Sequence, residues 1–573
     1  MIAGLVPLVG CPGNDDSNGD GSRSNPVTRL DLADVVAGAE GLLRIHGSTG
    51  RGSHGVPVAG GLDVDGDGER DLAFAAMQSS PAGRFNAGEV YLVFGDGSIT
   101  GTLDTAVSDA RILHLLGSAA FENTGSEIWL DDVTGDGLGD LLVARQNYSP
   151  DALRTGAGAV SILVGSAALS THAATHATVD LANPPEALTI TTLIGGQAFG
   201  RFGIWVRTGD VTGDEIPDLL IGADQENSGG DAHSGAVYLV RGGAHLAVGG
   251  EIDLAQFGAT PWAGHIVRIT PPPGSVEFHF GATCQIADLD MNDRGEVLAA
   301  AALNRAGATL GAGAGLQNLA HGTGGAPHGA VYIAWDDNFT DDPWVPGYSF
   351  SMDNTPGSAS TIRGGTRNVS FGEEILGGLD FDDDGFSDLF IGDIVGDATL
   401  DQSRPNSGSG HLFYHAASLR NTPAFDLDAP PPGLRMTTFL GPNQNDIASD
   451  TALQGDFDGD GFPDLAFSSP HGNPGGRTQA GIIHIAHGQS GSYPERVDLR
   501  SGRQPDPSKI RITEIYGAKV ADVLGYSAAG ADYDGDGLDD LIVNEMLGDG
   551  LAPNTLNVGN LIVISGALIR DGP

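Results

Sequence analysis

The chain has 573 residues, 40% of them hydrophobic, with 74 acidic against 28 basic side chains and a formal net charge of −46. That charge excludes a nucleic-acid partner, because a phosphate backbone is repelled and, with Lys only at Lys509 and Lys519, no basic stripe offsets the repulsion. Two cysteines rule out a disulfide framework, and 89 glycines beside so much apolar content read as turn-rich β structure rather than disorder.

In chain order, Leu8-Val9-Gly10-Cys11 resembles a bacterial lipobox, in which Cys11 becomes the lipidated first residue; the 1–11 segment is therefore expected to be a signal. Residues 12–26 (PGNDDSNGDGSRSNP) are small and polar, as a flexible tether requires. No other apolar run approaches membrane-spanning length, so membrane contact is expected only through Cys11, at a cell surface or outer membrane, or not at all in a secreted form. From Val27 to residue 573 one folded body is expected.

Seven acidic nonapeptides then recur, starting at Asp63, Asp132, Asp210, Asp288, Asp380, Asp456 and Asp532, with spacings of 69, 78, 78, 92, 76 and 76 residues. Oxygen side chains fall at positions 1, 3, 5 and 9, a pattern that suits a hard cation wanting six to eight oxygens. The expected ligands are Asp63, Asp65, Asp67 and Asp71; Asp132, Thr134, Asp136 and Asp140; and Asp210, Thr212, Asp214 and Asp218. The fourth loop offers Asp288, Asp290, Asn292 and Glu296. The last three give Asp380, Asp382, Asp384 and Asp388; Asp456, Asp458, Asp460 and Asp464; and Asp532, Asp534, Asp536 and Asp540. Calcium is preferred over magnesium because flexible many-carboxylate loops offer too many ligands for a small octahedral ion. Zinc is disfavoured, since no His or Cys enters the pattern. Up to seven calcium ions are expected, with the 288–296 loop weakest because Asn292, Asp293 and Glu296 depart from the pattern. Position 12 is Phe74, Val143, Ile221, Ala299, Ile391, Phe467 or Val543, where an EF-hand needs a bidentate Glu. Each loop therefore leads into a buried strand, not a helix.

Around each loop the same parts repeat. A glycine-bearing strand enters the loop and an apolar strand leaves it. A third strand is opened by glycine, as in GEVYLV at 88 and GAVYLV at 235. A short segment of the type VDL at 179 or IDL at 252 follows and is expected to be the fourth strand. Seven such units predict an all-β, seven-bladed β-propeller with four-stranded antiparallel blades. The last unit stops after its third strand, and LDL at Leu30–Leu32 is expected to complete the final blade and close the ring. Cys284 is placed on an inner strand. Helix signals are scarce and none is assigned.

These units resemble the FG-GAP repeat family, the propeller found at the head of integrin α subunits. The Phe-Gly element stands at Phe202-Gly203, Phe280-Gly281 and Phe371-Gly372, is relaxed at His54-Gly55, Thr124-Gly125 and Leu524-Gly525, and is lost at Ala448-Ser449. The resemblance implies calcium in the Asp-rich loops on one face of the disc and ligands on the other. Connectors 77–87, 145–157, 224–234, 303–328, 393–409, 469–480 and 545–558 are expected on that other face, and Arg84, Phe85, Tyr148 and Trp262 are the anchors to test for ligand binding.

Catalytic patterns are scarce. GYSAAG at 525 lacks the spacing of a nucleophile elbow, and His172/His176 in HAATH lack the acid of a zinc protease motif. His321 and His328 lie in a glycine-rich insertion. The expectation is a monomeric, non-catalytic adhesion or ligand-binding module for an extracellular protein or glycan. The alternatives are a propeller-scaffold enzyme acting on extracellular polysaccharide or lipid, and a passive surface-structural protein.

Overall fold

The computed structural model describes residues 27–572 apart from 37, 49–53, 260–261, 276–277, 302–328, 354–356, 366–369, 397–403, 423, 501–509 and 554. Cys11, the 12–26 tether, Lys509, His321 and His328 lie outside the described residues.

Seven five-stranded sheets form seven blades. Their innermost strands touch in sequence and the seventh returns to the first, which closes the ring. Blade 1 runs outward through Val58–Leu62, Asp71–Ala76, Glu89–Val93, Ile112–Leu116 and Val179–Asp180. Its first four strands are antiparallel and the fifth is parallel to the fourth. The second strand of each blade is buried throughout because blades cover it on both faces, and its centre is apolar, as in Asp218–Ala223 (DLLIGA). Burying Leu219, Leu220 and Ile221 stabilises the fold by roughly 1.5–3 kcal/mol each. Each apolar cluster spans neighbouring blades; one joins Leu43, Val563 and Ile542 of blade 7 to Val58, Phe74 and Tyr91 of blade 1.

Blades therefore have five strands rather than four. Segments such as Val179–Asp180 and Gly250–Asp253 are the fifth strands, and each joins the blade before the one whose strands flank it in sequence. Between its third and fourth strands the chain swings outward, caps the preceding blade, and returns. The true fourth strands are the alternating runs Ile112–Leu116, Ile190–Ile194 and their equivalents.

Ring closure follows this rule and corrects the expectation for Leu30–Leu32. Val27–Asp31 lies parallel to Ile512–Tyr516 and caps blade 6, not the final blade. The final blade, Leu524–Ala531, Asp540–Glu545 and Asn560–Ile564, is completed by Leu42–His46, antiparallel to Asn560–Ile564, and capped by Thr100–Asp104. The seam is thus sealed twice by the N-terminal segment, leaving no open edge between blades 6 and 7.

The Asp of the capping segments has a physical role. In four blades it pairs with an Arg from the connector between second and third strands: Arg84–Asp180 at 2.9 Å, Arg154–Asp253 at 2.7 Å, Arg404–Asp498 at 2.8 Å and Arg477–Asp31 at 2.7 Å. The Phe-Gly element marks close backbone approach between blades. A Cβ on Gly158, which opens the third strand of blade 2, would lie 2.1 Å from the Phe202 carbonyl oxygen of blade 3. Phe202 is buried and meets Tyr238 edge-on at 5.4 Å.

Among the described residues two short α-helices occur where none was assigned, Ala167–Ala174 and Gly566–Asp571. The first is the alanine-rich swing segment of blade 2, and alanine is the strongest helix former. Among the described residues no helix is long and apolar enough to cross a membrane. Cys284 lies buried on the inner strand Thr283–Ala287, where burial pushes its thiol up to about 12.

Candidate metal centre

All seven nonapeptides form the turn between the innermost and second strands, and position 9 is in every case the first residue of the second strand. All seven therefore lie on one face of the disc. The turn is held by its own carboxylates. Asp63 Oδ1 accepts from Gly66 N at 2.7 Å and Oδ2 from Gly68 N at 2.9 Å. Asp132, Asp210 and Asp456 repeat both bonds from the equivalent N–H groups. The carboxyl at position 5 caps position 7, as Asp214 Oδ1 does for Ile216 N at 3.2 Å.

Position 6 is left-handed throughout, and Glu215 (φ 66°) and Asp293 (φ 67°) adopt there the backbone that glycine takes in the other loops. Cβ crowding costs an L-residue about 1–2 kcal/mol in that region.

Position 9 is the anchor. Asp71 is fully buried; its Oδ2 accepts from Val64 N at 2.7 Å and its Oδ1 from Gly95 N, beyond the third strand, at 2.9 Å. Asp218, Asp388, Asp464 and Asp540 take the same two kinds of donor. Burial pushes Asp71 up to about 7, helped by Asp65 and Asp63 against the pull of the N–H donors. Asp218, Asp388 and Asp540 are likewise pushed up to about 7, and Asp140 to about 6.

The donors converge. Carboxylate oxygens of Asp63, Asp65 and Asp71 lie within 4.8 Å of one another, as do those of Asp288, Asp290 and Glu296, and of Asp380, Asp382 and Asp388. Asp456, Asp458 and Asp460 form a fourth such group. Within these loops the buried atoms Asp290 Oδ1, Glu296 Oε1, Asp382 Oδ1 and Asp532 Oδ1 have no hydrogen-bond partner. Buried oxygens of this kind are costly unless something electropositive meets them. An all-oxygen, carboxylate-rich set fits a hard divalent cation.

Blade 4 departs further than its sequence suggests. Where other blades place the N–H that anchors position 9, it carries Asp336, fully buried, whose carboxylate takes the Asn292 amide at 3.1 Å and pairs with Arg294. Burial, with Asp290 and Asp336 nearby, pushes Glu296 up to about 8. Sequence reasoning missed Asp336 because it stands 40 residues beyond the loop. It also missed the basic partners in blades 5 and 6. Arg435 lies 3.0 Å from Asp382 and 2.5 Å from Asp384, Arg511 contacts Asp458, and His487 Nδ1 sits 3.1 Å from both Asp458 and Asp464. The signal for the arginines was a basic residue directly before a fourth strand, invisible while that strand went unassigned.

The expected ligand anchors separate. Phe85 is 58% exposed and packs edge-on against Phe121, itself 61% exposed, at 5.3 Å, on the face opposite the loops. Arg84 is engaged by Asp180, and Tyr148 is half-buried beneath the Arg145 guanidinium at 4.0 Å. Trp262 stands between the third and fourth strands of blade 3, against His245 at 5.0 Å, on the loop side rather than with the other three. His172 and His176 assemble no site: His172 Nε2 is 3.4 Å from the Thr178 carbonyl, and both side chains are exposed or half-exposed.

The FG-GAP repeat model matches residues 55–93, 202–240 and 450–485, in blades 1, 3 and 6. Phosphatidylinositol-glycan-specific phospholipase D of Bos taurus is 25% identical over 57% of this chain and 42% of its own length. Integrin alpha-PS2 of Drosophila melanogaster is 31% identical over 28% of this chain and 11% of its own. The Mus musculus phosphatidylinositol-glycan-specific phospholipase D is 34% identical over 19% of this chain and 12% of its own. The chain spans less than half the length of these relatives. A solved structure described as "Structure of Dos1 propeller" aligns over 89% of this chain and 92% of that chain at 10% identity and a TM-score of 0.37. This chain is a seven-bladed β-propeller that carries FG-GAP repeats in blades 1, 3 and 6 and is similar to an integrin α chain over part of its length.

Proposed function

We propose that the chain is a calcium-stabilised extracellular propeller that binds a protein or glycan through the face opposite its acidic loops. The observation that carries the calcium reading is the convergence of Asp63, Asp65 and Asp71 oxygens within 4.8 Å in blade 1, together with the buried Asp532 Oδ1 of blade 7 that no donor meets. Asp63, Asp65, Asp67 and Asp71, and their equivalents in the other loops, would hold the ion. Calcium supplies charge neutralisation there and no reaction step. The chain's own residues do the rest: position 1 shapes the turn, position 9 ties it to the third strand, and the apolar second strand locks it into the blade. Without a cation, like charges at this spacing repel by several kcal/mol per pair at intermediate dielectric.

The binding surface rests on a second observation. Phe121 and Phe199, each 61% exposed, stand at corresponding turns with φ of 68° and 58°. Asn445 and Ala521 serve the same turn between other blades with φ of 64° and 65°, so the turn itself does not require an aromatic ring. With Phe85 and Leu153 (89% exposed) they place four large apolar side chains on one sector of that face. Aromatic anchors of this kind dominate binding hot spots. Probing a protein and glycan array with the full chain in calcium tests the reading. Hits are expected, and Phe121→Ser with Phe199→Ser is expected to abolish them without lowering the melting temperature. An array without hits would favour a passive structural role.

The phospholipase D relatives support a second reading, a hydrolytic role on the same scaffold. Release of phosphatidylinositol-glycan anchors by the full chain is the assay that separates it from binding alone, and no release is expected.

A further inference from the structure

The seven loops are not electrostatically alike. In blades 1, 2, 3 and 7 no Lys, Arg or His among the described residues lies within ion-pair distance of a position 1, 3, 5 or 9 carboxylate. In blades 4, 5 and 6 a guanidinium does. Arg420 Nη1 lies 3.0 Å from Asp290, Arg435 spans Asp382 and Asp384, and Arg511 contacts Asp458 with Asp460 at 3.7 Å. Arg435 and Arg511 occupy the same place in the repeat, directly before the fourth strands Met436–Leu440 and Ile512–Tyr516. Blades 2, 3 and 7 have Thr189, His265 and Gly41 there. Blade 1 does carry Arg111, but its guanidinium pairs with Asp96 at 2.5 Å and Asp109 at 3.6 Å rather than with a loop carboxylate at position 1, 3, 5 or 9.

We infer that the ring is divided into two arcs: blades 7, 1, 2 and 3, whose loops depend on calcium, and blades 4, 5 and 6, whose loops are closed by arginine and bind calcium weakly. This rests on the calcium reading above, keeps the 288–296 loop weak, and for blades 5 and 6 reverses the ranking that the motif alone suggests. DFDDDGFSD and DFDGDGFPD carry the full set of four Asp, yet they are the loops that already hold a permanent cation. Arginine stays protonated at any working pH, and its planar fork matches two carboxylates at once. An incoming divalent ion must either displace it or share the carboxylates with it, and one positive charge near the ion weakens binding by about tenfold or more at intermediate dielectric. The two arcs are contiguous, and the calcium-dependent one contains blade 7 with its closing strand Leu42–His46. Calcium therefore acts at the seam, where Leu42–His46 pairs with Asn560–Ile564, while the opposite side of the ring keeps its shape without it.

The test is calcium titration by calorimetry on the full chain stripped with chelator, together with hydrogen–deuterium exchange with and without calcium. Wild type is expected to show a tight class of four sites and a weak class of three. Arg435→Gln and Arg511→Gln are each expected to tighten one weak site by about tenfold. Chelation is expected to speed exchange in 63–71, 132–140, 210–218, 532–540 and in Leu42–His46, and to leave 380–388 and 456–464 unchanged. The exchange measurement on wild type stands even if a Gln variant fails to fold. Seven equal sites, uniform exchange changes, or Gln variants with unaltered weak sites would overturn the partition alone. Absence of binding and of any exchange change would overturn both the partition and the calcium reading beneath it.

Discussion

Arg477 Nη2 donates to Asp31 Oδ1 across 2.7 Å, joining residues 446 positions apart in the chain. The pair ties the first strand of the fold to the connector of blade 6, and three other blades repeat it with residues that do not span the seam. Both side chains are about a fifth exposed, so the interaction is partly screened. A double-mutant cycle of Asp31→Asn and Arg477→Gln is expected to give a coupling of about 0.5–1 kcal/mol in urea melts. Removing residues 27–46 deletes both closing strands, and loss of the cooperative transition is expected.

Close approach between blades gives a sharper substitution. Gly158→Ala places a methyl 2.1 Å from the Phe202 carbonyl oxygen and 2.5 Å from its nitrogen, both backbone atoms, at a residue whose φ is 86°. A loss of about 3 kcal/mol or more is expected, read as a lowered urea midpoint.

Within one loop, anchor and ligand roles separate. Asp218→Asn replaces one of two buried acceptor oxygens, which take the N–H groups of Val211 at 3.0 Å and Gly242 at 2.9 Å, with an NH2 donor. It is expected to cost about 2–3 kcal/mol even in chelator, because a buried donor is left unmet. Exposed Asp214→Asn keeps its acceptor for Ile216 N, so it is expected to be near-neutral in chelator and destabilising only in calcium. The two melts in each buffer decide this.

The position 9 carboxylates also predict an unusual pH response. Asp71, Asp218, Asp388 and Asp540 are held up to about 7 by burial, above the unfolded value of 3.8. The metal-free folded state therefore binds more protons than the unfolded chain between about pH 4 and 7, so these groups stabilise it below that window and the stabilisation is lost as pH rises through it. In chelator the melting temperature is expected to fall from pH 5 to pH 8. In calcium that fall is expected to disappear or reverse, since the ion requires the charged form. A chelated protein that becomes more stable toward pH 8 would contradict the burial argument.

Much of this was readable in the residues, for physical reasons. Seven Asp-rich turns followed by apolar runs specify loop, second strand and sevenfold repeat at once, because side-chain oxygens and buried Leu, Ile and Val leave little freedom there. The outer strands were less legible. Segments such as VDL at 179 look like a strand following the third, and only the pairing of Val179–Asp180 with Leu115–Leu116 shows that they serve the preceding blade. Once that rule is known, Leu30–Leu32 must cap blade 6 and Leu42–His46 must complete blade 7. Partners remote in sequence, Asp336 for loop 4 and Arg435 and Arg511 for loops 5 and 6, were hidden because linear spacing carries no information about them. Phe121 and Phe199 escaped notice since a phenylalanine beside a glycine-rich turn reads as core.

The central claim is that a divalent ion in these turns holds the propeller together, and thermal melting at fixed ionic strength with excess calcium and with excess chelator tests it most directly. Calcium is expected to raise the melting midpoint, increasingly with concentration, as mass action on the folded state requires. Midpoints that coincide in calcium and in chelator would contradict the account.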